Sequence, residues 1–201
     1  AIATGVRLGA RVTAYDVRPT AREQVESLGA RFARIDAERA SETRDGYAGF
    51  LTEEQLARQR AALVKLCHES DLIVTTAQVF GKPAPTIIER DMLRGMRPDA
   101  VIVDLAIATG GNLDVSRDGM DEVIDGVRVI ADSHLPSAVA SDASSMLASN
   151  AAALLKHITD DNGRLRADAE DEIIRSVLVT HSGRVRETAA TPNVELEAVT
   201  T

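Results

Sequence analysis

The chain has 201 residues, of which 44% are apolar, enough to bury a sizeable core and to exclude wholesale disorder. Three Phe, two Tyr and no Trp make that core aliphatic, and together with a formal charge of −8 they argue against a nucleic-acid surface built on stacked rings or against an anionic-membrane surface. The single Cys67 excludes an intrachain disulfide framework and fits a reducing cytoplasm, and no apolar run approaches the roughly 18 residues that a membrane span needs.

Taken in chain order, short β-rich runs alternate with helical stretches. Residues 1–8 read as the end of a helix closed by Gly9, and RVTAYDV (11–17) reads as a strand. Residues 19–29 read as a helix with Pro19 in its first turn, Val25 and Leu28 facing the core, and Gly29 as its stop. Residues 30–35 make a short strand, and the polar stretch 36–51 is a loop. Thr52-Glu53-Glu54-Gln55 is a capping-box pattern that opens a helix carrying Leu56, Leu63, Leu66 and Cys67 at near-helical spacing. DLIVTTA (71–77) and AVIVDLA (100–106) are nearly continuous apolar strands, as expected where helices cover both faces. Between them, GKPAP (81–85) cannot be regular because of its prolines, and residues 86–96 read as a helix. Gly110-Gly111 breaks the chain, and VRVIA (127–131) is a further strand. After Pro136 a helix of about twenty residues, rich in Ala and Ser, reaches His157. Residues 172–186 alternate like a hairpin turning at Ser182-Gly183.

This order predicts an α/β fold with a doubly wound parallel sheet over residues 1–132, and a different unit, a long helix and a hairpin, over residues 133–201. Ligands of such sheets sit at the carboxyl ends of the strands. Asp16 stands at one such end, where a carboxylate accepts hydrogen bonds from both hydroxyls of an adenosine ribose and repels a 2′-phosphate. Arg18 pulls the other way, because a guanidinium pairs with phosphate. A strand-end Asp is also a common cap or turn former, and a lone Arg a common solvated one. The pattern G-x-G-x-x-G is absent; Gly5 and Gly9 precede a strand and read as helix-end glycines. The sequence reads as if the first strand and its glycine turn had been cut away.

His68, His134, His157 and His181 show no metal-ligand spacing, no G-x-S-x-G is present, and Cys67 falls on an apolar helix face, buried and inert. No metal site and no catalytic acid, base or nucleophile is expected. The acidic stretch Asp160–Glu172 lacks calcium-loop spacing and reads as solvated.

Several motifs in one order carry a family resemblance. YDVRP with EQVESLGARF (15–32), DGYA (45–48), DLIVTTAQVFGKPAP (71–85), AVIVDLA with GGN (100–112), and HLPS followed by DAS (134–144) resemble the NAD(H)-binding alpha subunit of proton-translocating NAD(P) transhydrogenases. Alanine dehydrogenase is the related alternative, and a non-catalytic interaction module is the alternative from another class. The resemblance implies a Rossmann-like fold lacking its first strand and glycine loop, with a gap between the strands at 11–17 and 71–77. It implies that Asp16, Val17 and Arg18 contact the adenosine half of NAD(H). It implies that Gly46 and Tyr47 belong to a mobile loop that closes over the nucleotide. Gln78, where the family usually has Leu, would line the nicotinamide side; Gln59 stands where the family often has Glu and carries no assigned role; GKPAP shapes the cofactor edge, with Lys82 at the surface.

The implied reaction is direct hydride transfer between NADH here and NADP(H) on a partner subunit, coupled to proton movement by a membrane subunit. The implied component is a homodimer, cytoplasmic and peripheral to the membrane through its partners. The helix and hairpin after residue 133 would return to an N-terminal domain, so the chain would be a C-terminal portion, inactive alone and with an exposed apolar face.

Overall fold

The structure, a computed structural model, describes residues 1–18, 20–33, 35, 53–79, 81–160, 162–166, 171–181 and 183–185. The first unit is α1 (Ile2–Arg7), β1 (Thr13–Ala14), α2 (Ala21–Ser27) and β2 (Arg31–Phe32). The two strands pair in parallel, with Thr13 opposite Arg31 and Ala14 opposite Phe32. Gly9 and Gly29 end the helices as expected, whereas Gly5 lies inside α1 instead of at its end. Its role is close approach: a Cβ there would sit 3.0 Å from Val12 Cγ2, so α1 lies directly against the residue leading into β1.

The second unit holds the main sheet. Helix α3 (Glu53–Glu69) leads into β3 (Leu72–Thr75), and β4 (Val101–Asp104), β5 (Met120–Ile124) and β6 (Val127–Ala131) follow. The strand order is β3-β4-β6-β5; β3, β4 and β6 run in parallel and β5 is an antiparallel edge. Within the described residues, no ladder joins this sheet to β1–β2. The orders β2-β1 and β3-β4-β6 match the two wings of a doubly wound sheet on either side of its switch point, where a gap was expected. The core is aliphatic and lies against the main sheet, with Leu93, Ile102, Val127 and Val129 fully enclosed and Cys67 and Met92 beside them.

Four expectations need correction. Strand β5 was not anticipated, because Asp121 and Glu122 on this exposed edge read as loop; the Asp125-Gly126 turn, both residues at positive φ, is the hairpin signal that joins it to β6. The helix expected over 86–96 shrinks to α4 (Arg90–Leu93). Its first part is extended instead, because the Asn112 carbonyl accepts from the N–H groups of Ile87 and Ile88 at 2.8 and 3.0 Å, and Ile88 bridges Leu113. The long helix is two: α5 (Leu135–Ala138), with Pro136 in its first turn, and α6 (Ala140–Ile158), separated at Val139. Finally, the first half of the expected hairpin is a helix, α7 (Glu172–Val177). Asp171 caps it, accepting from the N–H groups of Ile173 and Ile174 at 3.0 Å each, while His157 Nε2 lies 2.9 Å from the same carboxylate. Only β7 (Thr180–His181) and β8 (Arg184–Val185) form the antiparallel pair.

Helix α6 buries none of its residues, and Met146 and Leu147 are about 70% exposed, as expected for an uncovered apolar face. The expected loop over 36–51, the capping Thr52, and Phe80 lie outside the described residues.

Candidate functional site

The adenosine-side candidates gather just after β1. Asp16 accepts three hydrogen bonds from Arg18: from the backbone N–H at 2.8 Å, from Nε at 3.0 Å and from Nη2 at 2.8 Å. The guanidinium holds the Asp16 carboxyl below its ordinary range, so the group is an anion at neutral pH. Both carboxylate oxygens are therefore set side by side to receive two donors at once, the arrangement that a vicinal diol also requires. Arg18 is thus Asp16's partner and not an isolated surface cation. Val17 between them is exposed. Next to this group, Gln59 Nε2 donates to Tyr15 Oη at 2.6 Å and ties the end of β1 to α3. Gly46 and Tyr47 lie outside the described residues.

The nicotinamide-side candidate, Gln78, stands apart from this cluster, three residues past the end of β3, with its side chain exposed. What holds its backbone is a buried polar cradle at the carboxyl ends of β3 and β4. Asp104 closes β4 and is completely enclosed. Its Oδ1 accepts from Thr75 Oγ1 at 3.1 Å and from the Ala106 N–H at 3.0 Å; its Oδ2 accepts from the N–H groups of Asn112 at 2.8 Å and Leu113 at 3.3 Å. Four donors take the place of water around a carboxylate that has no cation beside it. Asn112, also fully enclosed, accepts at Oδ1 from the Ala77 N–H at 2.9 Å and donates through Nδ2 to the carbonyls of Ala77 at 2.9 Å and Pro85 at 2.8 Å. Gly111 makes room for this: at φ +83° a Cβ would stand 2.8 Å from Asp104 Oδ2.

Sequence reasoning assigned Asp104 and Asn112 no role. The signal was present in an acid ending a wholly apolar strand, where only a hydrogen-bonded carboxylate is tolerated, followed by Gly110-Gly111-Asn112.

The described residues hold no cluster of His, Cys, Asp and Glu able to bind a metal ion. Cys67 is buried, which pushes its thiol up to about 11 and leaves it protonated and unreactive at neutral pH. His134 lies beside Ser133 and Asp132, and His157 serves Asp171. The arrangement is suited to binding and aligning a polar ligand, with no acid–base pair aimed at either candidate cluster.

The family model described as alanine dehydrogenase/PNT, C-terminal domain, matches residues 1–188. The chain is 41% identical over 194 residues to an NAD(P) transhydrogenase subunit alpha from Rhodospirillum rubrum, covering 95% of this chain and 50% of that protein. It is 34% identical over 142 residues to the alanine dehydrogenase of Halomonas elongata, covering 69% of this chain and 38% of that protein. A solved transhydrogenase structure from Sinorhizobium meliloti superimposes with a TM-score of 0.68 at 35% identity, over 92% of this chain and 48% of that one. The chain therefore spans half or less of the length of these relatives.

Proposed function

The chain belongs to the alanine dehydrogenase/PNT family of oxidoreductases, and from that premise we propose that it is the NAD(H)-binding component of a proton-translocating NAD(P) transhydrogenase. The observation that carries this reading is the paired, ionised Asp16 at the carboxyl end of β1, its two oxygens presented together. Asp16 takes the ribose hydroxyls, with Val17 and Arg18 beside the adenosine half. Gln78, on the loop after β3, lies at the nicotinamide half, and Gly46 and Tyr47 close over the nucleotide from their own loop.

NADH supplies the hydride, and NADP⁺ on a partner subunit receives it. The residues of this chain bind, orient and exclude water, which fits a site without a general acid or base. Greater identity and coverage favour this reading over an alanine dehydrogenase. The remaining parts of the proposal follow from it: partner subunits that hold NADP(H) and cross the membrane, a homodimer, a cytoplasmic position peripheral to the membrane, and a boundary near residue 133. None of the described helices is long and apolar enough to cross a membrane.

Fluorescence titration of the full chain carrying these residues tests the reading. NADH should bind with at least about tenfold greater affinity than NADPH, because Asp16 repels a 2′-phosphate. Equal affinity for the two, or no binding of NADH, would sink the proposal.

A further inference from the structure

We propose that Asn112, held in place by Asp104, is the positioning residue that sets the backbone at Ala77 and Gln78 against the nicotinamide half of the bound nucleotide. This rests on the reading of the chain as an NAD(H)-binding component, and deepens it. The segment from Thr76 to Ile87 has no regular structure beyond an isolated Val79–Lys82 bridge, and Pro83 and Pro85 deprive it of two donors. Its order comes from outside.

Asn112 holds the start of the segment through both polar groups of Ala77, and the end through the Pro85 carbonyl. The main-chain carbonyl of Asn112 takes the N–H groups of Ile87 and Ile88, and Ala84 donates to the Thr109 carbonyl at 2.8 Å. One residue thus fixes both ends of residues 78–84. Asn112 is fully enclosed, so it acts through the loop and not on a ligand directly.

The chemistry explains the residue type. Pairing with a peptide group in both directions needs one acceptor and one donor on the same side chain, and a second donor reaches Pro85. An Asp at 112 would keep the acceptor for Ala77 N–H and place an anion against two carbonyls. Asp104 then fixes Asn112 by accepting its backbone N–H. Because the cradle sits on β3 and β4 while Asp16 and Arg18 sit after β1, loosening the clamp should reach one half of the nucleotide and spare the other.

The test measures the affinity of the full chain for NADH and for ADP-ribose, which lacks the nicotinamide, in wild type, Asn112→Ala and Asn112→Asp. Asn112→Ser, which retains one hydrogen-bonding group, replaces Asn112→Ala if that variant does not fold. The expected result is a loss of about fivefold or more in NADH affinity, with bound-NADH emission moving toward that of free NADH, and ADP-ribose affinity held within about twofold. Equal losses for both ligands would assign Asn112 a merely structural role and overturn the proposal, as would unchanged NADH binding. Wild type that binds ADP-ribose but gives either result refutes only the positioning role; wild type that binds neither ligand refutes the nucleotide-binding reading and the positioning role with it.

Discussion

Asp16 and Asp104 both lie at the carboxyl ends of parallel strands, and their surroundings are opposite. Asp16 is partly exposed, ion-paired with its near neighbour Arg18, and follows a strand paired on one side. Asp104 is enclosed, has four donors and no cation, and ends a strand paired on both sides. The same residue type at the same topological position therefore does two jobs. An acid with solvent access and a flexible partner can exchange that partner for a ligand; an acid sealed among backbone donors organises the loops around it and can exchange nothing.

The largest expected effect of breaking this contrast is at Asp104. Asp104→Ala leaves the Thr75 hydroxyl and three backbone N–H groups unpaired in a dry interior, and should cost about 4 kcal/mol or more of folding stability. Urea unfolding followed by circular dichroism measures it, and a loss near zero would show that water reaches the cradle. Gly111→Ala should come next, at about 3 kcal/mol by the same measurement, since it combines a positive φ with a 2.8 Å approach to Asp104 Oδ2. A neutral Gly111→Ala would mean that the cradle is looser than these distances imply.

Legibility in the sequence divides along the same line. The apolar runs of β3 and β4 and the glycine stops after α1 and α2 depend on neighbours in the chain, and were readable. Asp16 was readable because its meaning comes from strand-end position and from Arg18 two residues away. The cradle was not, because Asn112 meets Ala77 across 35 positions. The same long-range contact extends residues 86–89, where local propensity favours helix. Strand β5 was hidden by its charged, solvent-facing edge, and α7 by an apolar spacing that suits either a strand or a short capped helix. In each miss a tertiary partner or solvent exposure overrode the local pattern.

The smallest effect on folding is expected at Asp16, and it sharpens the contrast most. The depressed carboxyl means that the pair with Arg18 contributes in full above the ordinary carboxylate range and is lost as pH falls through the lowered folded value. At neutral pH an exposed pair of this kind contributes little, so Asp16→Ala should leave the melting temperature within about 2 °C of wild type. Its effect on binding should be far larger. Measured on the full chain at pH 7, Asp16→Ala should weaken NADH binding by about tenfold or more while the melting temperature holds. Unchanged NADH affinity in that variant would contradict the central claim, that the ion-paired acid after β1 is where this protein holds its nucleotide.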